Sequence, residues 1–91
     1  MNKKYFSQVV GSDIYPYEVV EVVSDKKVIV REMSFKWKVY EGDCYDYKST
    51  NKPTKTITLR KNNHWYQVGD SMNGCRFYPK DEPIAYRSPS V

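Results

Sequence analysis

The sequence predicts an all-β protein, a small single-domain antiparallel barrel followed by a coil C-terminal tail. The chain has 91 residues, which suits one domain with a modest core. Short runs rich in Val, Ile, Thr and aromatic residues are separated by clusters of Gly, Asn, Asp and Pro, a pattern typical of strands joined by turns. No segment with helical periodicity is long enough to predict a helix. We therefore treat residues 1–91 as one domain, with the core between residues 5 and 78 and a coil over residues 79–91.

The N-terminal region contains one candidate strand. Tyr5 to Val10 is a short apolar segment that ends where turn-forming residues cluster, at Gly11-Ser12-Asp13. Pro16 then holds the chain extended, and a residue without a backbone donor suits the very start of a strand. We therefore expect one strand before Gly11 and another that begins close to Pro16.

The clearest element is a β-hairpin. Two runs rich in Val and Ile, Tyr17–Val23 and Val28–Glu32, flank a polar four-residue segment at residues 24–27. Their β-branched side chains favour a pleated strand over a helix. Because the first run is partly apolar on both faces, we expect the hairpin to be a central pair of the sheet. The substitution Val20→Asp is accordingly expected to be severely destabilising.

A strand with one solvated face is predicted after the hairpin. From Met33 to Tyr40, apolar and polar residues alternate cleanly. Its solvent side would present Lys36, Lys38 and Tyr40. Residues 41–53 are irregular, with turn formers around two tyrosines, and we expect either a long loop or a ragged edge strand there.

A second hairpin is predicted in the C-terminal half. Thr54–Arg60 alternates, with Ile57 and Leu59 facing inward, and His64–Val68 is the returning strand. The turn falls at Asn62-Asn63, because Asn tolerates a positive φ better than other residues except glycine. The remaining segments are a turn at residues 69–74, a possible last strand at residues 75–78 and the coil tail.

The type of barrel follows from the number and length of these strands. Several short strands with almost no helix favour the five-stranded barrel of the Src-homology-3 type, including its KOW-like variants. The oligonucleotide-binding barrel is the alternative. It usually needs more residues and an intervening helix, which the sequence does not predict.

Positive charge is concentrated in the second half of the chain. The net charge is +4, and residues 1–45 are neutral, with seven basic and seven acidic side chains. Most of the surplus lies between Lys48 and Lys61, a stretch without Asp or Glu. Such a local basic field attracts phosphate groups or an acidic protein surface.

Basic and aromatic residues are interleaved in the same part of the sequence. Cations that contact phosphates and flat rings that stack on bases are the two requirements for binding single-stranded nucleic acid or nucleotides. The candidate ligand-binding residues are Lys36, Lys38, Tyr40, Tyr45, Tyr47, Lys48, Lys52, Lys55, Arg60, Lys61 and Trp65, with Tyr66 beside them. Alternatively, the lysines only keep a β protein soluble and the rings fill its core.

The sequence argues against an enzyme or a metal protein. His64 is the one histidine, and the chain contains no nucleophile elbow, HExxH, Gly-rich phosphate loop or paired-carboxylate motif. Cys44 and Cys75 are far apart and match no zinc spacing, so we expect reduced, structural thiols. We predict no catalytic residue and no cofactor. The chain also contains no apolar run of the roughly 20 residues that span a bilayer, and no signal core, which predicts a soluble intracellular protein.

Three stretches resemble a group of small uncharacterised bacteriophage and prophage proteins. They are SDIYPYEVVEVVSDKKVIVRE, TITLRKNNHWYQVGDSMNG and RFYPKDEPIAYRSPSV, which together cover 56 of the 91 residues. This chain resembles the group in two motifs, an SDxYPYxVVEV hairpin and a second hairpin of the form TLRKNGxW. It differs at Asn63, where glycine is usual in the group, and in its RSPSV ending. The resemblance implies a viral origin, a β-rich domain and action in the host cytoplasm, and it brings no catalytic residues.

These observations leave three functional hypotheses. The first is a module that binds nucleic acid or a nucleotide through the basic and aromatic residues. The second is a phage counter-defence protein, which either inhibits a host immune effector in the manner of an anti-CRISPR protein or sequesters a signalling nucleotide. The third is a structural component of the virion. The sequence does not fix the oligomeric state.

Overall fold

The computed structural model describes residues 3–37, 44–69 and 74–87, and this part of the chain contains eight β-strands and no helix. The strands are β1 (Tyr5–Val10), β2 (Asp13–Ser24), β3 (Lys27–Glu32), β4 (Ser34–Trp37), β5 (Cys44–Lys48), β6 (Thr54–Leu59), β7 (Trp65–Gln67) and β8 (Phe77–Lys80). Six of them close an antiparallel barrel in the order β1, β2, β3, β6, β7, β8, and β4 pairs with β5 in a separate two-stranded sheet. The predicted all-β antiparallel barrel is confirmed. It has six strands where five were expected, because β8 pairs with both β7 and β1.

The first two hairpins form one half of the barrel wall. β1 has the predicted bounds, and a tight turn at Gly11-Ser12 leads into β2, where Gly11 adopts a φ of 60°. β2 pairs with β1 on one side and with β3 on the other, so this strand pair is central as predicted. The β2–β3 turn contains only Asp25 and Lys26, two residues fewer than the sequence suggested.

The far end of β2 corrects one prediction. Val20, Val22 and Val23 are 48%, 46% and 49% exposed. The pairing of β1 with β2 ends at Tyr5 and Glu18, so β2 extends beyond β1, while β3 stays paired with β6. The register between β2 and β3 shifts twice beyond Val19. The expectation that Val20 lies inside the sheet is therefore wrong, and a charge at this position would be solvated.

The barrel encloses a core in which aromatic rings meet edge to face. Its buried members are Phe6, Tyr17, Val28, Val30, Ile57, Trp65 and Phe77. The Phe6 and Trp65 ring centroids are 5.2 Å apart, and those of Tyr17 and Phe77 are 5.1 Å apart, at interplanar angles of 70° and 71°. Such pairs add to the stabilisation that burial itself provides. Trp65, predicted on the binding surface, is only 6% exposed and belongs to this core.

The second predicted hairpin is confirmed as β6 and β7. Ile57 is fully buried, Leu59 packs against the core, and Asn63 has a φ of 65° in the turn. β7 is shorter than expected, covering residues 65–67.

The alternating strand after the first hairpin lies outside the barrel wall. Met33 is buried and β4 follows it, but residues 38–40 of the predicted strand lie outside the described part of the chain. Within the segment 41–53, β5 forms the edge strand that the sequence left as one of two possibilities.

The coil predicted for residues 79–91 is confirmed for residues 81–87, apart from one bridge at Tyr86, and this segment is docked on the barrel. β8 covers residues 77–80 rather than 75–78. Beyond it, the Ile84 carbonyl accepts a hydrogen bond from the buried Ser7 hydroxyl at 3.0 Å. The backbones of Ile14 and Tyr86 exchange two hydrogen bonds, of 2.7 and 2.9 Å. Residues 88–91 lie outside the described part of the chain.

Candidate polyanion interface

The structure divides the predicted basic and aromatic residues into three separate groups. Lys36, Tyr45, Tyr47 and Lys48 lie on the β4–β5 sheet, Lys52 and Lys55 lie beside the Tyr17 hydroxyl, and Arg60 and Lys61 lie at the end of β6. Lys38 and Tyr40 lie outside the described residues. Trp65 is in the core, so its ring is not available for stacking on a base.

The lysines of the β4–β5 sheet surround a carboxylate. Lys36 Nζ is 3.5 Å and Lys48 Nζ 3.9 Å from Asp46 Oδ2, with all three side chains substantially exposed. Exposed ion pairs of this kind contribute little to stability. They do reduce the local positive potential, so this sheet is a weak attractor for a polyanion.

The two tyrosines of this sheet have different environments. Tyr45 is 48% exposed. Tyr47 donates its hydroxyl hydrogen bond to the Cys44 carbonyl at 3.3 Å and accepts one from the Ala85 amide at 2.9 Å. Burial raises the pKa of Tyr47, so the phenol stays protonated. Tyr47 therefore anchors the tail to β5.

The second group forms a polar network around the buried Tyr17 hydroxyl. Lys55 Nζ donates to this hydroxyl at 3.1 Å and lies 5.4 Å from the ring centroid, while the hydroxyl donates to Gln8 Oε1 at 2.9 Å. Lys52 Nζ lies 2.9 Å from Glu32 Oε2. Burial, with the nearby Glu32 carboxylate, raises the pKa of Tyr17 far above its ordinary value. Lys55 is thus engaged by the Tyr17 hydroxyl, and Lys52, which is exposed, is paired with Glu32.

The third group is built on the outer surface of β6, β7 and β8. Ile57, Trp65 and Phe77 face the core, so their alternating neighbours face outward. We call this surface the basic face; its residues are Thr58, Arg60, His64, Tyr66, Arg76 and Tyr78. The pairing of Thr58 with Tyr66, and of Trp65 with Phe77, brings residues from three strands side by side.

The Tyr66 hydroxyl is the centre of the basic face. It accepts hydrogen bonds from Asn62 Nδ2 at 2.9 Å and from Arg76 Nε at 3.1 Å. At the end of the neighbouring strand β6, Arg60 Nε donates to the Oγ1 of Thr58, two residues earlier in the chain, at 3.2 Å. Tyr66 itself has no exposed surface, whereas Arg76 is exposed and Arg60 partly so. A buried phenol thus holds Arg76 in place at the surface.

The charges on this face act on one another. Burial opposes ionisation of Tyr66, but the hydrogen bonds from Asn62 and Arg76, with the positive charges of Arg76 and Arg60, outweigh it and lower the pKa of Tyr66. Hydrogen bonds to Tyr78 and Tyr66 raise the pKa of Arg76. Because hydrogen-bond donors and cations converge on this phenol, the face favours negative charge.

No carboxylate within β6, β7 or β8 offsets the positive potential of the basic face. The described ranges 47–69 and 74–80 contain no Asp or Glu. The exposed Lys61 extends the face at the β6–β7 turn. Lys27 at the start of β3 adjoins this face because it pairs with Thr58. The β2–β3 turn also lies beside β6, because the Leu59 amide donates to the Lys26 carbonyl at 2.8 Å, and this turn holds both Lys26 and Asp25.

His64 takes part in packing rather than in a cluster of titratable groups. Its ring centroid is 6.0 Å from that of Tyr78, in an edge-to-face arrangement. Within residues 3–37, 44–69 and 74–87, no group of three or more His, Cys, Asp and Glu side chains is placed to hold a metal ion. Neither Cys44 nor Cys75 forms a disulfide in the described part of the chain.

Comparison of the chain with models of known families, with curated proteins and with solved structures gives no match. The residues that form the basic face must therefore be interpreted from their own geometry. Among the described residues, no helix has the length and apolar character needed to cross a membrane.

Sequence reasoning found part of the basic face and missed the rest. It identified Arg60, Lys61 and Tyr66, but it did not include Arg76 or Asn62. One signal was available, since Asp70 is the single acidic residue between Lys48 and Lys80. Extending the basic window from Lys61 to Lys80 would have included Arg76.

Proposed function

We propose that this protein is a non-enzymatic, phage-type module that binds nucleic acid or a nucleotide on its basic face and acts in the host cytoplasm. The observation that carries the proposal is the position of two arginines near the Tyr66 hydroxyl: Arg76 donates a hydrogen bond to it, and Arg60 is close enough for its charge to act on the phenol. They lie in a part of the described chain without carboxylates.

Arginine suits this role because of its shape and charge. A guanidinium is planar, stays charged at all relevant pH values and can donate two parallel hydrogen bonds to a phosphate. Hydrogen bonds from Arg76 Nε to Tyr66 and from Arg60 Nε to Thr58 hold the two groups in fixed orientations, which reduces the entropy lost on binding. Arginines held in this way are preorganised for successive phosphates of a single strand.

A salt titration with matched variants tests the proposal. We expect a fluorescent single-stranded oligonucleotide of about ten nucleotides to bind with an affinity that falls as salt rises, because bound phosphates release counterions. The double variant Arg60→Gln/Arg76→Gln should bind more weakly and should lose about 1.4 from the slope of log affinity against log salt, at about 0.7 per phosphate contact.

The control is Lys36→Gln/Lys48→Gln, which removes the same charge from the β4–β5 sheet. Its slope should stay close to that of the original protein, because Asp46 already offsets those lysines. Equal losses from the two double variants would mean that only net charge matters, and the basic face would then not be the site. Circular dichroism of each variant establishes that it is folded.

The counter-defence hypothesis has one observation in its favour, the part of β2 in the β2–β3 hairpin that extends beyond β1. Val20, Val22 and Val23 expose apolar surface at its end, and exposed apolar patches mark protein interfaces. A host immune effector bound there should remain bound after nuclease treatment and should be released by Val22→Glu. If nuclease releases the partner, the hairpin is not its docking site. No comparable observation favours a virion component.

A further inference from the structure

An open cleft of about 290 Å³ adjoins the basic face. It lies between the end of β1 and the start of β8, and it is lined by Val9, Gly11, Gly74, Cys75, Arg76 and Tyr78. Arg76 belongs both to this cleft and to the cluster around Tyr66. A ligand whose phosphate contacts Arg76 can therefore reach the cleft directly.

The walls of the cleft are mainly apolar and well supported. The Val9 amide donates to the Arg76 carbonyl at 3.0 Å, which fixes β1 beside β8. Phe6 is in the core, so by alternation along β1 the Val9 side chain faces outward, over Arg76 and Tyr78. The Tyr78 ring also packs edge to face with His64.

Gly11 keeps one side of the cleft open. It has a φ of 60°, and no heavy atom lies within 4 Å of the position that a Cβ atom would occupy. A side chain at this position would enter unoccupied space beside the cleft. Glycine meets the backbone requirement and leaves that space accessible to a ligand.

We infer that this cleft receives one base of a single-stranded nucleic acid whose phosphates contact Arg60 and Arg76. The inference rests on the function proposed above. The volume of about 290 Å³ is near the lower limit for ligand pockets, roughly 300 Å³, which suits one base with part of its sugar. The Tyr78 ring and the Val9 side chain supply flat and apolar contacts, and Arg76 supplies the cation for the adjoining phosphate.

This arrangement distinguishes single strands from duplexes. In a duplex the bases are stacked inside the helix, and moving one into a pocket costs the energy of unpairing and unstacking. A single strand offers its bases freely. The cleft therefore predicts a preference for single-stranded over double-stranded nucleic acid of the same charge.

The test compares three probes at one salt concentration: a single-stranded oligonucleotide of about ten nucleotides, an abasic strand of the same length, and a duplex. The abasic strand carries the same phosphates but no bases. We expect the single strand to bind about tenfold more tightly than the abasic strand, a typical contribution of one stacked base. The duplex keeps its bases stacked, so blocking the cleft should leave its affinity nearly unchanged.

Variants of the cleft locate the base. Val9→Trp fills the cleft and should remove the roughly tenfold difference between the single strand and the abasic strand. Val10→Trp is the matched control, because the same side chain is placed on the next residue, whose side chain points the opposite way. Tyr78→Leu should also remove the difference, and the conservative Tyr78→Phe, which keeps the ring, should restore it.

Cys75 gives a second readout that does not depend on affinity. In a Cys44→Ser background, Cys75 is the one remaining thiol. At concentrations that saturate each probe, the single strand should slow alkylation of Cys75 by about tenfold or more, because the base occupies the cleft, whereas the abasic strand should leave the rate nearly unchanged.

The outcomes separate the two proposals. If the single strand and the abasic strand bind equally and protect Cys75 equally, the base does not enter the cleft and this inference is overturned, while the basic face remains a phosphate site. If none of the three probes binds, the proposed function fails and the inference fails with it.

Discussion

Trp65 offers a sharp test of which aromatic residues form the core and which form the surface. We predict that Trp65→Ala lowers the free energy of unfolding by about 3–5 kcal/mol, the usual cost of deleting a large aromatic side chain from a packed core. The residue is 6% exposed, and its ring packs against Phe6 with centroids 5.2 Å apart. A domain of 91 residues has a total stability of roughly 5–14 kcal/mol, so this loss is a large fraction of the whole.

Thermal unfolding followed by far-ultraviolet circular dichroism measures the effect. The expected loss corresponds to a fall in Tm of roughly 12–40 °C for a domain of this size. Tyr45→Ala is the matched control, because Tyr45 was also predicted to contact a ligand but is 48% exposed. Its effect should stay within about 0.5 kcal/mol. A Trp65→Ala variant as stable as Tyr45→Ala would refute the assignment of Trp65 to the barrel core.

Two further predictions concern stability. Val20→Asp should change the free energy of unfolding by no more than about 0.5 kcal/mol, because the side chain is exposed. Val28→Asp, at a fully buried position, should prevent stable folding. Similar melting curves for the two variants would contradict the assignment of Val28 to the core and of Val20 to the surface. Stability should also fall as the pH rises above 10, because burial and Glu32 raise the pKa of Tyr17 above its ordinary value of 10.0, so the unfolded chain loses that proton first. Urea denaturation between about pH 9 and pH 11 measures this loss, and it should be smaller in Tyr17→Phe; an identical pH dependence in the two proteins would disprove the Tyr17 contribution.

Local sequence patterns predicted the strands because the relevant forces act between close neighbours. Alternation placed Ile57 and Leu59 inward, and the positive φ of Asn63 suits the turn between β6 and β7. The same patterns could not predict where the barrel wall ends. The exposure of Val20 depends on how far β1 extends beside β2, and the sequence of β2 does not contain that information.

The candidate site was predicted less completely because its members meet only through long-range pairing. The sequence predicted Lys52 and Lys55 as cations that could bind a ligand. Folding brings Lys52 close to Glu32 and Lys55 close to the Tyr17 hydroxyl, and these groups bind the two lysines. Arg76 joins Tyr66 only because β8 closes the barrel against β7. Charge density in a short window therefore detected basic character, while the grouping of the cations depended on the topology of the sheet.

The most direct test is a nuclear magnetic resonance titration of the isotope-labelled protein with a single-stranded oligonucleotide. We predict that the amide resonances that shift most belong to β6, β7, β8 and the end of β1, with Arg60, Tyr66 and Arg76 among them. The resonances of Lys36 and Lys48 should remain nearly unchanged. Shifts concentrated on the β4–β5 sheet, or spread evenly over all the lysines, would contradict a binding site on the basic face.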